Sequence, residues 1–344
     1  MSFREAVLAM GSMPHQVGGL FGWGGRQGSA PAPFDAVEGT RLAGPSGSHP
    51  LAALTAQELL NRSTDALDGS IEILEPVRIG EGIKGVLRLT ARREVKARGA
   101  MLRLVGVRLA EEQRSEQKRD SEGRTTSTES WIEVHGKAFE ELPFSSPPLP
   151  ASLAAGQSVE AEFTIPAPRL GPASGHMGSA LIAWAVEARW DVAMGGDQRV
   201  AALVDVAQNI DYLRSGAVNL GPGALFDAYG SGDATIAVKP LPPAVAGSEI
   251  EVTVSWPSAG GGRGGRIELQ ADVEAPNGLK GIVLASVPVD PAQLRGGLTV
   301  TLTVPSDAPP TQKAHGLAVS YRLRALVDRQ FRSDLAVERA IALM

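Results

Sequence analysis

The chain has 344 residues, a length that predicts two domains of ordinary size. Lys and Arg total 33 against 38 Asp and Glu, a net charge of −5 that excludes a globally basic nucleic-acid binder, and the absence of cysteine excludes disulfide scaffolds, thiolate zinc sites, iron–sulfur clusters and cysteine nucleophiles. Glycine (40) and proline (24) make up about 19 % of the chain against a usual ~12 %, a surplus that suits a turn-rich, all-β protein.

Residues 1–68 read as a low-complexity N-terminal tail rich in Gly, Ala and Pro. The opening Met1–Met10 carries one Arg, one Glu and a very short apolar stretch, which is not a signal-peptide core, and no apolar run approaches the ~18–20 residues of a membrane span. A cytoplasmic location is expected, with no transmembrane segment and peripheral membrane association left open. Two short helices are predicted in the tail, over Phe3–Met10 and Leu51–Leu67; the second starts at the capping box Thr55-Ala-Gln-Glu58. Phe21 and Trp23 read either as a docking motif or, more plainly, as part of a tail that covers a hydrophobic groove or a sheet edge.

From residue 69 the apolar period is two. Val159, Ala161, Phe163 and Ile165 alternate with Glu160, Glu162 and Thr164, and Ile182, Trp184, Val186, Ala188 and Trp190 alternate with Glu187, Arg189 and Asp191. Further on, Ile250, Val252, Val254 and Trp256, then Ile267, Leu269, Ala271 and Val273, then Leu298, Val300, Leu302 and Val304 do the same. Successive strand side chains point to opposite faces, so each run has one dry and one wet side, as in antiparallel sandwiches.

The chain also repeats itself. Phe163-Thr-Ile-Pro166 matches Leu302-Thr-Val-Pro305, and a loop ending in histidine (His176, His315) follows each. Trp184 to Asp191 aligns with Tyr321 to Asp328 at an offset of 137, and Val200, Val204 and Val206 align with Val337, Ile341 and Leu343 at the same offset. Gly80-Glu-Gly-Ile83 corresponds to Gly247-Ser-Glu-Ile250 at an offset of 167. The difference places an insertion in the first copy at Glu111 to Ser130, whose polarity reads as a solvated loop or a long hairpin tip. The expected organisation is a tail (1–68), a first sandwich (69–208), a joining segment (209–232) whose glycines break regular structure, and a second sandwich (233–344).

Two tandem sandwiches in this order resemble the arrestin fold. Ile79-Gly-Glu-Gly-Ile-Lys-Gly-Val-Leu-Arg-Leu89 is similar to that family's opening strand, and Ala100-Met-Leu-Arg-Leu-Val-Gly106 to the next one. Phe163-Thr-Ile-Pro166 followed by Ile182-Ala-Trp-Ala-Val-Glu-Ala188 resembles its proline-ended strand and aromatic strand, as Val304-Pro305 and Val319-Ser-Tyr-Arg-Leu-Arg-Ala325 do in the second copy. The resemblance covers 69–344 and implies two immunoglobulin-like sandwiches in a non-enzymatic scaffold or adaptor. Such a protein binds protein partners through sheet edges, concave faces or loops. Bacterial members of this kind include sporulation-control proteins, and the Ala/Gly/Arg usage here suits a bacterial member. No Pro-Pro-x-Tyr motif is present, and the sequence ends directly after the last predicted strand, so neither ubiquitin-ligase docking nor a long C-terminal tail is implied. Pro147-Pro-Leu-Pro150 reads as a proline-rich turn rather than a polyproline ligand.

Catalytic motifs are not found: His15, His49, His135, His176 and His315 lack metal-ligand spacing, and Gly260, Gly262 and Gly265 form a hairpin loop rather than a dinucleotide fingerprint. No enzyme activity, cofactor or metal is expected. A basic stretch does stand out over 84–108, with Glu94 its only acid. Lys84, Arg88, Arg92, Arg93, Arg98 and Arg103 are the candidate partner-binding face, because guanidinium forks grip carboxylates and phosphates of an acidic or phosphorylated segment. The plainer reading pairs these cations with Glu111, Glu112, Glu116, Asp120 and Glu122. An extracellular or envelope sandwich that binds carbohydrate or another surface ligand is the alternative function.

Overall fold

The period-two runs form strands. The computed structural model describes residues 41–42, 60, 66–119, 125–145, 149–167, 172–176, 180–192, 198–214, 220–259, 262–274, 281–314, 316–329 and 333–344. The readings made above of Phe3–Met10, of Phe21 and Trp23, of the helix start at Thr55, of Pro147 and Pro148 and of His15, His49 and His315 lie outside them, whereas Leu67, the expected end of the second helix, and Asp68, the expected end of the tail, belong to a strand over Leu67–Ile73. The chain divides into two β-rich units at Ala207/Gln208.

The first unit contains β1 (Arg41–Leu42), β2 (Leu67–Ile73), β3 (Val77–Arg78), β4 (Gly82–Ala91), β5 (Val95–Arg119), β6 (Thr125–Ser145), β7 (Ser152–Leu153), β8 (Ser158–Pro166), β9 (Gly175–His176), β10 (Ala180–Val192), β11 (Gln198–Val204) and β12 (Val206–Ala207). β2, β4 and β8 make a small antiparallel sheet. A larger one runs β1-β6-β5-β10-β11, with β7 on β5 and β9 on β10, and β3 pairs with β12 in parallel. Leu67, Leu87, Leu89 and Ile165 of the small sheet and Ile182, Trp184, Val186 and Val200 of the large one are buried, so the arrangement is sandwich-like. The other face of the large sheet is apolar as well. Val105, Val107, Leu109, Val134, Leu181, Ala183 and Ala185 cluster there with Leu60. That cover removes the expected wet side of β10: Glu187 is 1 % exposed.

The second unit contains α1 (Ile210–Arg214), β13 (Ala228–Ser231), β14 (Ala234–Lys239), β15 (Glu249–Ser255), β16 (Gly264–Glu274), β17 (Ile282–Val289), α2 (Pro291–Leu294), β18 (Leu298–Thr303), β19 (Gln312–Ala314), β20 (Leu317–Asp328) and β21 (Leu335–Ile341). One antiparallel sheet runs β13-β14-β15-β18; the other runs β17-β16-β20-β19, with β21 also on β20. The 209–232 segment thus carries two regular elements, and Leu213 within it is buried against Ala342. The helical turn ends before Gly216, the first glycine of the segment, and the four-residue strand contains Gly230, so these glycines do not exclude regular structure.

The duplication holds at the level of individual hydrogen bonds. Trp184 pairs with Val204 and Ala188 with Val200; at an offset of 137, Tyr321 pairs with Ile341 and Ala325 with Val337. The Trp184 indole N–H donates to the Pro172 carbonyl at 2.9 Å, and the Tyr321 hydroxyl donates to the Pro309 carbonyl. Val206 and Leu343 donate their N–H groups to the hydroxyls of Ser174 and Thr311, both at 2.9 Å. Gly80 and Gly247 both turn with positive φ, 86° and 81°, where a side chain would be strained. Val77 bridges Val206 in parallel, and Ala244 bridges Leu343 likewise.

Register also corrects two details of the repeat. Ile83 pairs with Ile165 and Ile250 with Leu302, so Leu302 is the counterpart of Ile165, two residues from the match made by Phe163-Thr-Ile-Pro166. His176 faces Leu181 as Lys313 faces Ala318, which makes Lys313 rather than His315 the counterpart of His176. A slip of two residues keeps every side chain on its own face, so pattern matching does not detect it.

Candidate partner-binding face

Ile83, Gly85, Leu87 and Leu89 take the core side of β4, which turns Lys84, Arg88 and Thr90 outward. The Lys84 ammonium lies 3.2 Å from both carboxylate oxygens of Glu75. Arg88 donates to Glu160 (Nε–Oε2 2.9 Å) and to Glu72. Arg92, one residue past the strand, donates to both oxygens of Asp68, through Nε at 2.9 Å. Register explains the pairing: Ser70, Arg88 and Glu160 stand in one row across the sheet. The acids therefore come from β2, its following turn and β8, not from the 111–122 stretch. Hydrogen bonds donated to Glu72 and then to Glu160 hold the Arg88 guanidinium above its ordinary range.

The remaining candidates lie elsewhere. Arg93 is exposed in the turn after β4, and the side chain of Arg98 is outside the described residues. Arg103 belongs to β5 in the large sheet, where its Nε donates to Glu187 at 2.7 Å; its side chain is 15 % exposed and that of Glu187 1 %. A basic run contiguous in sequence is thus divided between two sheets, with Lys84, Arg88 and Arg92 together and Arg103 apart. Breaking a pair this buried costs roughly 3–5 kcal/mol, so Arg103 has a structural role that exposed Arg88 does not. In the second unit the charges at the equivalent positions are exchanged: Glu268 stands opposite Arg324 on β20 at 4.0 Å, Arg266 donates to Glu268 at 2.6 Å, and Arg324 donates to Glu338 at 2.7 Å.

The outward side of the small sheet forms a shallow trough of about 580 Å³, lined in part by Asp68, Ser70, Arg88, Thr90, Ser158 and Glu160. The Thr90 and Ser158 hydroxyls meet at 2.8 Å across it. An acidic ligand arriving here meets cations already bonded to carboxylates and has to displace them.

The Arg92–Asp68 clip titrates. Its hydrogen bond to Arg92 lowers the Asp68 carboxyl below its usual 3.8. A depressed carboxylate contributes above its unfolded pKa and loses that contribution as pH falls through the folded one, so the clip is expected to open only in acid. A carboxyl-detected NMR titration is expected to place the Asp68 midpoint below 3.8 and to move it up in Arg92→Gln; equal midpoints in the two proteins contradict the clip.

Sequence reasoning missed four buried charges, Glu111, Glu187, Glu268 and Arg339. Arg339 had a signal: Val337, Arg339 and Ile341 share one side of β21, so a cation occupies a core position. Glu187 had none, because it sits on the side that alternation assigns to solvent. Among the described residues no group of three or more His, Asp or Glu is placed to hold a metal ion, and no helix is long and apolar enough to cross a membrane. No protein-family model matches the chain, and no curated protein matches it.

Proposed function

We propose that the chain is a non-enzymatic scaffold or adaptor of arrestin type, with two tandem immunoglobulin-like sandwiches that bind protein partners in the cytoplasm. The observation that carries this reading is the pair of units built to one plan, with the same aromatic–proline clasp and the same strand registers. That duplication agrees with the motif order the sequence shares with the arrestin family. Extended strands with accessible edges add a mode of recognition: a partner segment pairs its backbone with an edge, and side-chain pockets select it.

Affinity purification from the native host, with soluble and membrane fractions analysed separately, tests the proposal. A protein partner recovered in stoichiometric amount from the soluble fraction is the expected result. Location of the chain in the envelope, with retention on immobilised polysaccharide and no protein partner, replaces the adaptor reading with the carbohydrate-binding one.

A further inference from the structure

β5 and β6 run on beyond their sheet. β10 accompanies β5 only as far as Ala110, opposite Ala180, whereas β5 and β6 stay paired to Arg119 and Thr125. Residues 112–118 and 125–130 of this two-stranded ribbon are exposed. The two sides of the ribbon differ in chemistry. Along 111–119 of β5, six of nine residues are charged; along 125–132 of β6, only Glu129 is, and the rest are Thr, Ser, Trp and Ile. Charges on an edge strand oppose the addition of another strand, while hydroxyl and β-branched residues favour it. The β6 side already holds one: β1 pairs antiparallel with it, Arg41 opposite Glu133 and Leu42 opposite Ile132. Both positions match in chemistry, a cation across from a carboxylate and an apolar residue across from an apolar one. Two residues are a very short strand, and no other described strand lies on that side of β6.

The geometry points to the outer edge of β6 as a strand-acceptor site for an extended partner segment that carries a basic–apolar pair, with Arg41–Leu42 as its occupant in the free protein. This inference rests on the adaptor reading and names the edge and the partner chemistry. A longer segment that takes the place of β1 also pairs along 125–131, so it gains backbone hydrogen bonds that two residues do not make. The basic residue finds Glu133, and the apolar one finds half-buried Ile132.

The test uses the full chain and a fluorescent peptide with the chain's own 37–44 sequence as the probe. Leu42→Pro withdraws the internal strand, because proline does not donate to a ladder. It is expected to bind the peptide at least about tenfold more tightly than the unsubstituted chain, by fluorescence anisotropy. Adding Glu133→Lys is expected to abolish that gain, whereas Glu251→Lys, the same charge change at an exposed position of β15, is expected to leave it intact. Equal binding with and without Leu42→Pro overturns the site, and so does equal loss from both lysine substitutions. The chain has no cysteine, so Leu42→Cys with Ile132→Cys makes a second, independent check. The pair is expected to oxidise and to block peptide binding until reduced; unimpeded binding by the oxidised form overturns the site. A partner from the native host that the oxidised form still recovers overturns the edge assignment and leaves the adaptor reading standing. Recovery of no partner by any form counts against the adaptor reading itself.

Discussion

Arg339→Met is expected to destabilise the second unit by about 3–5 kcal/mol, enough to consume much of the stability of an ordinary domain. Arg339 is 1 % exposed and forms no ion pair among the described residues. Its guanidinium instead donates to three carbonyls: Gly223 through Nε at 3.3 Å and Nη2 at 3.0 Å, and Asp227 and Ile236 through Nη1 at 2.8 and 3.1 Å. These bonds tie β21 of one sheet to β14 of the other and to the chain leading into β13. Burial pushes the guanidinium down from its ordinary range, with Asp227 acting in the opposite sense. Methionine recovers that desolvation cost but forfeits charge-assisted hydrogen bonds to three carbonyls, at about 1.5–3 kcal/mol each, and the second effect exceeds the first even though the Phe226 and Val238 N–H groups still reach the Gly223 and Asp227 carbonyls. Lysine keeps the charge without the planar fork, so Arg339→Lys is expected to recover only part of the loss. Urea unfolding, read with amide exchange over residues 223–238, checks both. A loss below about 1 kcal/mol, or unchanged protection of those amides, contradicts the bridging role.

Trp184→Ala is expected to cost the first unit about 3–5 kcal/mol, a drop of roughly 2–4 °C in melting temperature for each kcal/mol in a unit of this size. The indole is 1 % exposed and meets the Phe139 ring edge to face, with centroids 5.0 Å apart at 85°. Gly106 stands opposite it on β5, where a Cβ would come within 2.7 Å of the indole and 2.6 Å of Phe139. The glycine is there because two aromatic rings fill the space a side chain would need. Trp184→Phe keeps most of the volume but leaves the Pro172 carbonyl without its donor, so about 1–3 kcal/mol is expected. Tyr321→Phe removes the equivalent bond to Pro309 in the second unit and is expected to cost a similar amount. Calorimetry of the three variants checks the series. A Trp184→Ala protein that melts within 2 °C of the unsubstituted chain contradicts it.

The two clasps show how much was legible in advance. Alternation placed Trp184 inward, and the offset of 137 equated Tyr321 with it. Their proline acceptors lie 12 residues upstream in both copies, yet only the fold shows that those carbonyls turn toward the rings. The basic stretch was legible as composition and misleading as a surface. A strand side chain lies next to those of neighbouring strands, so the field around Arg88 is set by Glu72 and Glu160, 16 and 72 residues away. The 111–130 insertion was legible as polar, and its β-paired form follows from the continuing register of β5 and β6.

By itself the sequence determined the all-β character, the division into two repeated halves and most core positions, because a period of two is a local property of the backbone and survives in any antiparallel sheet. Tertiary structure alone decided which acid neutralises which cation, that Glu187 is buried, that Arg339 joins two sheets, and that Arg41–Leu42 lies on the edge of β6. Each of these depends on residues far apart in the chain. Their energy comes from desolvation and hydrogen-bond geometry, which no local pattern encodes.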